Sequence, residues 1–168
     1  RPVSAMTATE QQSIPFYCHG GYIDPPLRYD PNSGLMHAEA DEARHVRDES
    51  TTLTGAVILN EGTQEIRAPK IIRDENTQIA EIFGPLQLRD KGLLLTGESA
   101  TSNLTSGAGS VSQATFLIHN SSFRGDANTL DRTADNRMLL DDTTFTRCDP
   151  GSNTWAFNSE SMELKPDE

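Results

Sequence analysis

The sequence is short of apolar residues, short of basic ones, and has no long hydrophobic run. Hydrophobic residues make up 35% of the 168 positions. With glycine added and tyrosine left out the share is about 40%, below the ~45–50% of ordinary domains. Such a chain builds a thin core. At this length it still buries roughly 70% of its unfolded surface, so it needs no metal or disulfide merely to fold. Lysine and arginine number 14 against 25 aspartates and glutamates, a net charge of −11. That argues against nucleic acid, whose phosphates need clustered cations, and against a basic patch on an anionic membrane. The densest apolar run, Gly92 to Leu95, is strand-sized, far below the ~18 residues of a membrane helix. Arg1 to Gln12 holds no apolar leader, and Pro166-Asp167-Glu168 ends the sequence without the composition of a tail. The sequence is therefore expected to be a fragment of something longer.

Catalytic constellations are also missing. His19, His37, His45 and His119 show no metal-ligand spacing. There is no nucleophile elbow and no phosphate-binding loop. Asp126, Asn128 and Asp131 are loosely calcium-like, but Leu130 occupies a liganding position, so a turn is the reading. The carboxylate pairs Asp41-Glu42 and Asp141-Asp142 read as solvated strand ends rather than as an acid–base couple. Asn103-Leu104-Thr105 and Asn120-Ser121-Ser122 are glycosylation sequons, which matter only in a eukaryotic secretory setting. No cofactor and no metal is expected.

What is present is punctuation. Five of the nine prolines fall before residue 35, so residues 1–34 read as an irregular, Pro-rich N-terminal arm carrying Cys18. From Leu35 onward turn-prone clusters recur every 13 to 16 residues or so: Arg47–Ser50, Asn60–Gly62, Asp74–Asn76, Asp90–Gly92, Ser106–Gly109, Asn120–Ser122 and Ala134–Asn136. Between them the chain alternates with period two, and 17 threonines favour strands. Ala38 to Val46 is the nearest approach to a helical turn. The fold class is all-β, with residues 35–168 forming roughly ten antiparallel strands.

Two strands make a unit that repeats. Ala38-x-Ala40-Asp41-x-Ala43 recurs as Ile66-x-Ala68-Pro69-x-Ile71, Leu95-x-Gly97-Glu98-x-Ala100 and Phe123-x-Gly125-Asp126-x-Asn128. A weaker copy is Phe157-x-Ser159-Glu160-x-Met162. Each copy breaks alternation just after its small residue, as a bulge or bend would. Ala40, Ala68, Gly97 and Gly125 are therefore expected to stack into one crease across the sheet. A creased sheet has two facing inner walls, with apolar bulk expected to fall short of filling the space between them. A closed sandwich is the plainer outcome.

Cys18 and Cys148 leave three readings: free thiols, a bridge to each other worth up to about 4–5 kcal/mol, or partners elsewhere in a longer protein. The even count favours the internal bridge.

The stretch Cys148-Asp149-Pro150-Gly151-Ser152-Asn153-Thr154-Trp155 closely resembles a segment of the LptD family of outer-membrane lipopolysaccharide-assembly proteins. The small-then-acidic repeat is similar to the OstA repeat of that family and of LptA, and Cys18-x-Gly20-x-Tyr22 to the family's N-terminal cysteine segment. The resemblance implies an open, creased jelly roll, often called a β-taco, on the periplasmic face of the outer membrane. It implies that lipopolysaccharide acyl chains ride in the apolar interior. LptA would add a strand at the N-terminal edge. A C-terminal β-barrel, absent from this sequence, would follow and hold LptE. It further implies that Cys18 and Cys148 pair with cysteines of that barrel, displacing the internal bridge.

On alternation, the lining would be Leu53, Val57, Leu59, Ile66, Ile82, Leu86, Leu88, Leu95, Phe116, Ile118, Phe123 and Phe157. The anionic head group would stay in water or be bridged by divalent ions. Pro85 puts the central pairing of its strand in question. Two rivals stand beside this reading. One is a structural or adhesive β-repeat module with a filled core. The other is a carbohydrate-active enzyme, whose turnover would depend on a carboxylate such as Asp41 or Asp142.

Overall fold

A computed structural model describes residues 2–12, 18–32, 34–90, 92–147 and 154–164. Ten strands follow one another: β1 (Met36–Glu39), β2 (Glu42–Val46), β3 (Ser50–Glu61), β4 (Gln64–Asp74), β5 (Ile79–Asp90), β6 (Leu93–Asn103), β7 (Gly109–Ile118), β8 (Phe123–Arg132), β9 (Met138–Thr146) and β10 (Phe157–Leu164). All pairings are antiparallel, in the order β1-β3-β4-β5-β6-β7-β8-β9-β10, with β2 also paired to β3. The ends of this path, β1/β2 and β10, do not pair with each other, so the sheet is open. Each of the seven turn clusters falls at a strand connection.

Ala38 to Val46 forms no helical turn. It is two strands that share β3 as partner, parted at Ala40 and Asp41. Its small residues suit an edge, where one face has nothing to pack against.

The arm is more ordered than its prolines suggest. Val3–Ala5 is a single 3-10 turn, and α1 (Ala8–Gln12) is a short helix. Thr7 and Glu10 form a reciprocal cap: the Thr7 amide donates to Glu10 Oε2 at 2.7 Å and the Glu10 amide to Thr7 Oγ1 at 3.3 Å. Met6 and Cys18 are buried.

The ladder breaks along one line. Its register shifts between Thr54 and Val57, between Arg67 and Lys70, and between Phe83 and Leu86. On β6–β7 the pairs Thr96–Thr115 and Ser99–Ser112 flank an unpaired stretch, and β8–β9 shows the same between Asp126–Thr144 and Thr129–Asp141. Pro69 and Pro85, neither of which has an N–H to donate, sit inside these gaps. Gly84-Pro85 is a cis bond. Gly55, Gln113 and Asp142, on the same line, take positive φ. The Asp41 carboxylate accepts a hydrogen bond from the Ala56 amide at 3.2 Å, supplying a partner that the broken ladder does not.

Ala40, Ala68 and Gly97 stand at this crease. Gly125 does not: it pairs with Phe116 on one side and Phe145 on the other. The break on β8 falls at Ala127-Asn128, two residues on. Gly125 is small for another reason, since a Cβ there would strike the Thr144 carbonyl and the ring of Phe116.

Candidate functional site

The inner face is built from two cross-strand rows, one on each side of the crease. The first runs Ala38–Leu59–Ile66–Leu88–Leu95–Phe116–Gly125–Phe145–Phe157, from β1 to β10. The second runs Ala43–Leu53–Ile71–Ile82–Ala100–Val111–Leu130–Leu140–Met162, from β2 to β10. At ~4.8 Å per strand each row spans about 38 Å. Between them lie Val57 opposite Ala68, Leu86 opposite Gly97 and Ala114 opposite Ala127. The crease explains how both rows reach one interior. Ala68 and Ile71, Gly97 and Ala100, Ala127 and Leu130 are three apart, a spacing that regular alternation would send to opposite faces.

Of the twelve lining candidates, Leu53, Val57, Leu59, Ile66, Ile82, Leu86, Leu88, Leu95, Phe116 and Phe123 belong to the packed interior. Ile118 pairs with Phe123 at the end of β7, and half-buried Leu93 pairs with Ile118. Phe157 is 60% exposed, yet it stacks on Phe145 at 5.4 Å. Sequence reasoning missed Ile71 and Ala100, although both closed the repeat motif. It also missed Phe145, which joins a ladder of rings: Phe116–Phe123 at 5.7 Å, Phe123–Phe145 at 5.0 Å, then Phe157 and Trp155. Period-two alternation along β9 was the signal for Phe145.

The centre of the interior is closed rather than underfilled. Val57, Ala114, Phe116 and Leu140 are only 1–2% exposed. The three-residue step at the crease brings side chains inward from both halves of each strand, so modest apolar content suffices. A cavity of about 710 Å³ follows the crease, lined by Ala56, Ile58, Arg67, Pro69, Pro85 and Gln87 and also by the interior residues Val57, Ala68 and Leu86.

Cys18 lies away from the interior. Its Sγ approaches the carbonyl of Arg147 at 3.7 Å, so the arm seats this cysteine against the residue before Cys148. Cys148 itself lies outside the described residues, as does the Asp149–Asn153 part of the motif. Among the described residues no group of His, Cys, Asp and Glu is arranged to hold a metal. Among the described residues no helix is long and apolar enough to cross a membrane.

Residues 36–168 match the family model described as LptA/(LptD N-terminal domain) LPS transport protein. The chain is 29% identical over 175 aligned residues to the LPS-assembly protein LptD of Pseudomonas syringae pv. syringae, covering 98% of this chain and 18% of that protein. It is 33% identical over 149 residues to LptD of Chromohalobacter salexigens, covering 88% and 18%. The chain thus spans under a fifth of the relatives it matches. Its fold is similar to that of LptH from Pseudomonas aeruginosa, the LptA homologous periplasmic component of the lipopolysaccharide transport device. The TM-score is 0.53 at 13% identity, over 63% of this chain and 80% of LptH.

Proposed function

The chain belongs to the LptA/LptD N-terminal domain family of LPS transport proteins, which are not enzymes, and from that premise we propose that it is the periplasmic conduit of an LptD-type outer-membrane protein. In this reading it receives lipopolysaccharide from LptA at the N-terminal edge. It passes the acyl chains along the inner face toward a C-terminal barrel that holds LptE. The observation that carries the reading is the pair of unbroken inner rows, one on each side of a crease that already lacks ladder bonds.

Opening the walls about that crease costs apolar contacts and few hydrogen bonds, because among the described residues no strand joins β1 or β2 to β10. Acyl chains replace the lost contacts at about 0.8 kcal/mol per buried methylene. The rows offer many similar shallow contacts and no charged side chain, which suits movement along them. The anionic head group then stays in water. Cys18 and Cys148 pair with barrel cysteines in this reading, and the arm holds Cys18 against the Arg147 carbonyl.

The closed centre favours one other reading, a β-repeat module with a filled core. Photo-crosslinking separates the two. A reactive amino acid is placed at Leu95, on the inner row, or at Thr96, on the outer face, in the full-length parent in cells. The half-buried inner positions Ile66 and Leu88 serve as second sites, because Leu95 is 4% exposed. The conduit predicts adducts with lipopolysaccharide from the inner positions and none from Thr96. Absence of adducts from all three inner positions in folded protein establishes the filled module.

A further inference from the structure

Edge strand β1 has little of its own to hold it. It is four residues long and, among the described residues, pairs only with β3. It is cut from β2 at Ala40-Asp41, and its inward side chains are Ala38 and a 61% exposed Met36. A strand with so few pairs and no buried face frays. Its outward side chains are held instead by the arm. The Tyr29 ring stacks on His37 at 4.2 Å with the planes 8° apart. The Tyr29 hydroxyl donates to Glu39 Oε1, and Arg28 donates to Glu39 Oε2 at 3.4 Å. The bond from Tyr29 holds the Glu39 carboxyl below the usual carboxylate range.

The other end of the same segment is fixed five residues earlier. Arg89 on β5, 13% exposed, donates to Asp24 Oδ1 and to the Pro25 carbonyl, both at 2.6 Å. The two anchor points belong to one cross-strand row on the outer face, His37–Asn60–Glu65–Arg89. The middle members, Asn60 and Glu65, are buried at 7% and 4% although they face outward. Residues 24–29 therefore span the row from the centre of the sheet to its edge.

We propose that Asp24–Tyr29 is a strap that locks β1 into the ladder, with Tyr29 as the positioning residue, so that the edge meets an incoming partner strand already in register. The proposal deepens the reading above and rests on it for the partner. Strand addition depends on main-chain groups of the receiving edge being aligned beforehand. A frayed β1 would have to be ordered during binding, which weakens it.

The test is residue-resolved amide exchange on the intact 168-residue chain, with and without purified Pseudomonas aeruginosa LptH as partner probe. Tyr29→Ala is expected to speed exchange at the ladder-bonded amides among residues 37–39 about tenfold and to leave β6–β8 unchanged. Tyr29→Phe keeps the ring on His37 and is expected to restore most of the protection. Asp24→Ala, at the far anchor, is expected to act in the same direction as Tyr29→Ala. Unchanged exchange at residues 37–39 in both alanine variants overturns the strap, and so does uniform loss of protection across all strands. The wild-type chain with LptH decides the partner reading separately. New protection at residues 36–39 supports it, and its absence overturns edge addition while the exchange of the free variants still decides the strap.

Discussion

At the scale of single residues the crease is a packing problem with small margins. Gly97 has no room for a side chain, because a Cβ would meet Val111 Cγ1 and lie 2.8 Å from the Ser112 carbonyl. Backbone on the neighbouring strand yields less readily than a flexible side chain. Gly97→Ala is therefore expected to cost about 1–3 kcal/mol by urea unfolding, the range of an overpacked core. An unchanged midpoint would mean that the crease is looser than its contacts indicate. Thr143 poses the opposite case. It is 1% exposed, and its hydroxyl donates to the Asp126 carbonyl at 2.9 Å across the gap in the β8–β9 ladder. Thr143→Val keeps the shape and removes that donor, so a loss of about 0.5–1.5 kcal/mol is expected. Thr143→Ser keeps the donor, and its stability should lie closer to wild type than the valine variant's.

Among the elements, the turns carry the charge chemistry. Asp74 ends β4, and its Oδ1 accepts the amides of Thr77 and Asn76, both at 2.8 Å. These bonds favour the ionised form and lower its pKa, the Thr77 amide first. A lowered folded pKa means that the stabilisation is complete above the unfolded value, near 3.9, and is lost as pH falls through the folded one. The urea midpoints of wild type and Asp74→Ala should differ most near neutral pH and converge in acid. A gap independent of pH would assign the effect to turn geometry rather than charge. Elements were also what the sequence showed best. The turn clusters and the equal spacing of the repeats placed every long strand, because Gly, Asn and Asp mark turns by local chemistry. Three features were hidden because they depend on non-local partners. Gly125 matched the motif of Gly97, but it is small to admit Phe116, a residue on another strand. The edge pieces β1 and β2 lacked bulky apolar residues because they have half a neighbourhood. The arm looked irregular because its order comes from His37 and from Glu39 and Arg89, 10 and 65 residues from the groups they hold.

For the whole molecule, the question is whether the closed interior opens. A filled core and a collapsed conduit have the same contacts at rest and differ in what it costs to part the walls. In a sandwich with paired ends, separation breaks ladder bonds. Here the sheet path ends at β1 and β10 without closure, and the bend already lacks pairing, so the cost is mainly apolar contact between the rows. An acyl chain entering between them returns contact of the same kind, and more of it the longer the chain. Affinity for single-chain phosphate amphiphiles should therefore rise with chain length. The slope should be at most ~0.8 kcal/mol per methylene, less wherever further wall must part. Calorimetry over a series of chain lengths below the micelle threshold measures it. The rise should stop once the ligand reaches the limit of the apolar face, because further methylenes then stay in water. Binding that is undetectable at every length, in protein that unfolds cooperatively, would make the interior a structural core. The conduit would then have to lie elsewhere, and the cavity along the crease between Ala56 and Pro85 is the first place to look.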